Sequence, residues 1–292
     1  MEHHIKISVV IPTYQSAAHI ASTLNGLKSV LCGCREACEI IVVDDGSSDS
    51  TFQALLEWGR QGREADPIFH SGNTAAPVPA SVPVHGPGFR AVEESMSNSL
   101  RLRLVRLREN RGQQQATLCG IDRAEGNIIV TIDDDLQHPP AAIPLLVEKV
   151  REGNDLVYGI PGERFTRLFR SFGSAARNFL FLCLFGRRAA GIRPTSFRAF
   201  RAGIGKDIVS EPEGFLYLSA EFFQRTRKIS QVPVRYEHAD ARHSRYPFSR
   251  LFRIFAGIVL YAPFLPRKCR ERAGGAAWHI RETKEVRIQC GC

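Results

Sequence analysis

Four times before residue 153, a short apolar run is followed by a segment with apolar residues at helical spacing. Ile5 to Ile11 precedes Ala17 to Leu31, and Glu39 to Val43 precedes a helix beginning near Ser50. Leu102 to Leu107, where leucine or valine alternates with arginine, precedes Gly112 to Ala124, and Ile128 to Ile132 precedes Pro140 to Glu152. The apolar runs are short and mostly β-branched, which predicts buried strands. Strands alternating with helices predict an α/β chain of Rossmann-like build. Its central sheet should be mostly parallel with helices on both faces, because parallel neighbours need a crossover. Ligands of such sheets sit beyond the carboxyl ends of the strands. The polar turns after Val43 and Ile132 are therefore where chemistry is expected.

Gly59 to Ser99 breaks the alternation. It is rich in Gly, Pro, Ser and Ala without a sustained period, so residues 59–100 read as a flexible insertion between a helix and a strand. With 43% hydrophobic residues the 292-residue chain can bury one large core or two small ones. The formal charge of +9 points to an anionic partner. Arginines crowd Arg164 to Arg201 and Arg235 to Arg272, but no aromatic and basic recognition motif accompanies them, so nucleic acid is not expected. No basic region followed by an apolar leader opens the chain, and Ile254 to Leu265 is too short to cross a bilayer, which takes about 20 residues. Eight cysteines without an export signal read as reduced cytosolic thiols. Cys32, Cys34 and Cys38 lack a fourth ligand at the spacing zinc would require.

The run Asp133-Asp134-Asp135-Leu136-Gln137-His138-Pro139-Pro140 follows a predicted strand. Three carboxylates at one strand end repel one another unless a cation neutralises them. Mg²⁺ and Mn²⁺ prefer oxygen ligands and commonly share them with a diphosphate. The second signal is Asp44-Asp45-Gly46-Ser47-Ser48-Asp49. A carboxylate at a strand end can accept a hydrogen bond from a nucleobase imide or a ribose hydroxyl. The Gly-Ser run permits a tight turn, and Asp49 is suited to capping the next helix.

Taken in order, Val10-Ile11-Pro12-Thr13-Tyr14, Val43-Asp44-Asp45-Gly46-Ser47, Asn110-Arg111-Gly112 and Asp133 to Pro140 resemble the family-2 glycosyltransferases of GT-A fold. The form Asp-x-Asp-Leu-Gln-His-Pro-Pro is similar to their polyprenyl-phosphate sugar synthase branch, typified by dolichyl-phosphate mannose synthase. The resemblance implies a GT-A domain over residues 1–250 and a short apolar and basic tail over 251–292, the latter suited to a membrane surface. It implies that Asp133, Asp135 and Gln137 hold Mg²⁺ or Mn²⁺. Pro12, Tyr14, Asp44, Asp45, Asp134 and Arg111 would bind the nucleotide-sugar donor, with Asp44 on the base.

The second half matches less closely. Tyr158 to Arg164 and Thr195-Ser196-Phe197-Arg198-Ala199-Phe200 are similar to family segments near the acceptor. The family's Arg-x-x-Gly-x-Ser-x-Tyr keeps only its end here, as Ser244-Arg245-Tyr246, with Ala239 in the arginine place and Arg242 in the glycine place. Arg242 and Arg245 are the expected phosphate clamp beside Asp135, since guanidinium grips phosphate bidentately. The implied reaction is inverting transfer of a hexose from a UDP- or GDP-sugar to a polyprenyl phosphate. It would take place in the cytoplasm, peripherally at the cytoplasmic face of an anionic membrane. Two other readings remain. One is transfer to a hydroxyl, with Glu221 or Asp240 as base; the other is a catalytically inactive GT-A partner subunit.

Overall fold

A computed structural model describes residues 5–62, 99–162, 191–210, 218–236 and 278–290 of the chain. The expected alternation is present: β1 (Ile7–Thr13), α1 (Ile20–Cys32), β2 (Cys38–Asp44), α2 (Thr51–Gln61), β3 (Ser99–Leu107), α3 (Gln113–Arg123), β4 (Ile128–Thr131) and α4 (Ile143–Arg151). A 3₁₀ turn over Pro140–Ala142 leads into α4. Beyond it come β5 (Leu156–Pro161), β6 (Arg198–Arg201), α5 (Ala202–Val209), α6 (Leu218–Arg225), β7 (Ile229–Val234) and β8 (Ile280–Gln289).

All eight strands form one sheet in the order β7-β5-β6-β4-β1-β2-β3-β8. β1 pairs in parallel with β2 and β4, β2 with β3, and β5 with β7. β6 runs antiparallel between β4 and β5, and β8 runs antiparallel along β3. The sheet is thus mostly parallel and α/β, as the alternation predicts.

Side chains alternate across the strands and build a core on each face. Ile7, Val9, Ile11, Ile40, Val42, Leu102 and Leu104 face α1, α2 and α4. Val10, Ile41, Val43, Val105 and Leu107 face α3, α5 and α6. Burial on both faces explains why β1 and β2 read as continuous apolar runs. Each such Val or Ile contributes roughly 1.5–3 kcal/mol of burial, and this sets the strand ends firmly in place.

Two expectations are corrected by the described residues. Ile280–Gln289, within the stretch read as a tail, is instead a strand of the sheet, and its Ile288 is fully buried. The insertion boundaries also shift inward. Gly59 is buried at the end of α2, where a Cβ would lie 3.4 Å from Val286 and 3.5 Å from Leu102, and Ser99 already begins β3. The remainder of the insertion, residues 63–98, and the apolar run Ile254 to Leu265 lie outside the described residues. Among the described residues no helix is long and apolar enough to cross a membrane.

The cysteine expectation is also overturned. Cys32 at the end of α1 is disulfide-bonded to Cys290 just beyond β8, across 258 positions of sequence. This removes Cys32 from any zinc set with Cys34 and Cys38.

Candidate active site

The central strands β4, β1 and β2 are neighbours, so the loops leaving their carboxyl ends meet. Hydrogen bonds lace these loops together. The N–H of Asp45 donates to Thr13 O at 2.9 Å, Gln15 N–H to Ser47 Oγ at 2.9 Å, and Ser16 N–H to Thr51 Oγ1 at 2.8 Å. Ile132 N–H donates to Val10 O at 3.1 Å and holds the acidic loop against β1.

The three carboxylates of that loop face three ways. Asp134 turns inward and accepts from Thr13 Oγ1 and Ser16 Oγ, while Thr23 of α1 donates to its carbonyl at 2.9 Å. Burial raises its pKa above the usual carboxylate range, against the lowering effect of those two hydroxyls. Asp133 turns toward α3 and β6, accepting from Gln113 Nε2 at 2.6 Å and from Ser196 Oγ. Asp135 is exposed; its Oδ1 accepts the N–H of Gln137, itself exposed. Leu136 between them has φ of 62°, in the left-handed region that a leucine seldom adopts, so the loop is held in a strained turn.

His138 fixes this loop from behind. Its Nδ1 accepts the N–H of Asp133 at 3.2 Å, which places the imidazole proton on Nε2. The ring is buried, stacked on Phe197 at 5.2 Å and edge-on to Tyr236 at 5.0 Å.

The loop after β2 is organised by its two aspartates. Asp45 accepts the N–H groups of Arg111 and Gly112 at 2.7 and 2.8 Å, which brings the predicted Asn110-Arg111-Gly112 segment against it. Burial outweighs those bonds and raises its pKa above the usual carboxylate range. Gly46 has φ of 70°, and a Cβ there would lie 2.6 Å from the carbonyl carbon of Glu109, so only glycine permits the close approach of the two loops. Asp44 is fully buried. Its Oδ1 accepts Ser47 N–H at 2.9 Å, and its Oδ2 lies 3.4 Å from Arg106 Nε without a hydrogen bond.

The structure therefore brings together, at the carboxyl ends of β1, β2 and β4, the loops that carry Pro12, Tyr14, Asp44, Asp45, Asp133, Asp134 and Asp135. Pro12 and Asp133 line a cavity of about 150 Å³, and Tyr14 is 45% exposed on the loop after β1. Arg111 contributes its main chain, while its guanidinium reaches Glu109 at 2.7 Å. Arg242, Arg245 and Asp240 lie outside the described residues. Glu221, the other carboxylate considered as a base, is enclosed in α6 at 1% exposure and ion-paired with Arg225 at 2.5 Å. Sequence reasoning did not assign roles to Thr13, Ser16, Gln113, Ser196 or His138. Of these, Thr13, Ser196 and His138 stood inside segments that resemble the family, while Ser16 and Gln113 did not.

For a divalent ion, the available donors are hard oxygens of Asp133, Asp135 and Gln137, which suit Mg²⁺ or Mn²⁺ better than softer metals. No three His, Cys, Asp or Glu side chains are gathered closely enough among the described residues to form a cage. An ion bound by one or two carboxylates completes its shell with substrate phosphates and water, and the donor set fits that mode.

The family model for glycosyl transferase family 2 matches residues 8–76 and 89–209. Curated relatives include the undecaprenyl-phosphate 4-deoxy-4-formamido-L-arabinose transferases of Salmonella choleraesuis and Salmonella newport. Each is 28% identical over 256 residues, covering 87% of this chain. The chain spans 66% of the length of those relatives. Among solved structures, glucosyl-3-phosphoglycerate synthase of Mycobacterium tuberculosis with Mn²⁺ and UDP-glucose matches at TM-score 0.57 and 19% identity, covering 90% of this chain and 81% of that one. The same enzyme with Mg²⁺ and UDP matches at TM-score 0.54 and 18% identity, with the same coverage. These likenesses establish the GT-A fold, and with the span of the family match they place the chain in glycosyl transferase family 2.

Proposed function

We propose that the protein transfers a hexose, with inversion, from a UDP- or GDP-sugar to a polyprenyl phosphate at a membrane surface. The observation that carries this reading is the meeting of the acidic loop after β4 with the Asp44–Asp45 turn and the Arg111–Gly112 main chain, at the carboxyl ends of adjacent strands. Such a crevice has carboxylates for a cation at one side and polar groups for a nucleoside at the other. The buried Oδ2 of Asp44, with no hydrogen bond of its own, is a fitting acceptor for a base or ribose donor. Asp133, Asp135 and Gln137 would hold Mg²⁺ or Mn²⁺, which when bound neutralises charge on the departing nucleoside diphosphate.

A phosphate acceptor is already ionised near neutral pH, so the transfer does not require a strong general base. The work left to the chain is holding donor and acceptor in line and excluding water. The enclosure of Glu221 in its pair with Arg225 accords with a reaction lacking that base. The undecaprenyl-phosphate acceptor in the names of the curated relatives supports the same class of substrate.

The test is incubation with radiolabelled UDP- or GDP-hexose, Mn²⁺ and a polyprenyl phosphate in anionic vesicles. Label extracted into organic solvent, as the opposite anomer, is the expected result. Transfer only to sugar hydroxyls would replace this reading with the hydroxyl one. Donor binding without turnover on either acceptor would favour an inactive partner subunit.

A further inference from the structure

The cavity that Pro12 and Asp133 line has a cation at its floor. Arg198 opens β6, paired across the strands with Thr131 of β4 and Tyr158 of β5. It is 4% exposed and lines the cavity with Gln113, Gln114, Ser196 and Ser219. Its Nε donates to Thr131 Oγ1 at 3.3 Å, its Nη1 to Ser219 Oγ at 3.2 Å, and its guanidinium carbon lies 5.2 Å from the centre of the Phe222 ring. Every one of these partners is neutral. Arg198 makes no ion pair with a described residue, although the arginines nearest it in sequence and on α6 do: Arg201 with Asp155 and Arg225 with Glu221.

A guanidinium has five N–H donors and keeps its charge at any working pH. Two of the five are accounted for here, by long bonds. Burying a charge without a counter-charge is costly, and folded proteins tolerate it chiefly where a ligand completes the pair. Asp133 shares the cavity, but its two oxygens accept from Gln113 and Ser196 and form no ion pair with Arg198. The volume, about 150 Å³, is several times what one water requires and below that of a site for a whole ligand. It has room for one compact anionic group. The surrounding hydroxyls and amides supply neutral hydrogen bonds, so the ligand's charge would be matched by Arg198.

We infer that Arg198 is the floor of a phosphate-binding subsite in this cavity, its buried guanidinium gripping one phosphoryl group of a substrate. The inference rests on the proposed transfer reaction only for which phosphates could arrive there, the lipid acceptor's or the donor's diphosphate.

The test compares the wild type with Arg198→Met and Arg198→Lys by calorimetry and thermal unfolding. The probes are inorganic phosphate, farnesyl phosphate as a soluble lipid phosphate, and UDP or GDP with Mg²⁺. The wild type is expected to bind inorganic phosphate. Arg198→Met should unfold at or above the wild-type temperature without ligand, because it removes an uncompensated buried charge, yet bind phosphate about tenfold more weakly or worse. Arg198→Lys, which keeps the cation but not the fork, should fold and fall between the two; it serves as the deciding variant if Arg198→Met does not fold. Weakening confined to farnesyl phosphate assigns the acceptor's phosphate, and weakening confined to the nucleotide assigns the donor's. Wild-type affinity of the variants for all three probes would overturn the subsite, as would a wild type that binds none of them. Phosphate binding that depends on Arg198 in a protein that transfers no sugar would leave the subsite standing and remove the transfer reading.

Discussion

Asp133 donates its main-chain N–H to Nδ1 of His138, five residues on, so the ring that anchors the acidic loop is also part of the aromatic cluster beneath it. His138→Phe retains the stack on Phe197 but removes the acceptor. We expect a stability loss of about 1 kcal/mol for the one hydrogen bond. Metal-dependent donor affinity should fall more than stability does, because the Asp133 carboxylate loses its fixed backbone. Denaturant titration and calorimetry together measure both. A variant that binds donor as the wild type does would show that the bond organises nothing.

Asp135 is exposed and holds only a local bond to Gln137, so its removal should leave the fold intact. Asp135→Ala is expected to unfold within about 0.5 kcal/mol of the wild type, as surface substitutions do. It should also abolish the dependence of UDP or GDP affinity on Mn²⁺. Equal nucleotide affinity of the wild type with Mn²⁺ and with a chelator would remove the metal role altogether.

Glu125 bridges Arg101 and Arg103 of β3, each at 2.6 Å, and Arg103 also reaches Glu285 of β8 at 2.7 Å. The hydrogen bond from Arg103, opposed in part by burial, leaves the Glu125 carboxyl with a pKa below its ordinary value. A depressed value means the folded state favours the ionised form. The stabilisation is therefore present above the unfolded value near 4.5 and is lost as pH falls through the lower folded one. Because Glu125 is half exposed, the pair contributes about 1 kcal/mol or less. Glu125→Gln should accordingly be less stable than the wild type at pH 7, with the gap closing toward pH 3.5. Urea titrations at the two pH values check this, and a gap that widens in acid would reverse the assignment.

The Cys32–Cys290 bond closes a loop of 258 positions, and long loops gain most from closure. Reduction with dithiothreitol, or replacement of both cysteines by serine, is expected to lower stability by about 2–4 kcal/mol. An unchanged melting temperature on reduction would show that β8 holds its place through strand pairing alone.

The first four strands were legible because β1, β2 and β4 are buried on both faces and leave near-continuous apolar runs, while β3 alternates leucine with arginine. The later strands lack that mark. Arg198–Arg201 is four residues long with arginine at both ends. Ile280–Gln289 lies at a sheet edge where most residues meet water, so its few apolar residues, Val286 and Ile288 among them, were lost among charges. The acidic site was legible as composition at a strand end. Its supports were not: Thr13, Ser16 and Ser196 act through hydrogen bonds over 121, 118 and 63 positions, which no local pattern records. The cysteine reading failed for the same reason, since the partner of Cys32 lies at the far end of the sheet in sequence.

The pairing of β3 with β8 also sets an order of events. Arg103 and Glu285 are 182 positions apart, so the outer edge of β3 can be covered only after a distant segment has been brought back to it. Contacts of such separation close slowly. Until then β3 offers a row of unpaired N–H and C=O groups, the template on which chains stick to one another. Its alternation of leucine with Arg101, Arg103 and Arg106 supplies like charges that repel a second copy in the meantime. The same arginines then become the partners of Glu125, Glu285 and Asp44. What guards the half-made sheet against aggregation is thus reused as its clasp.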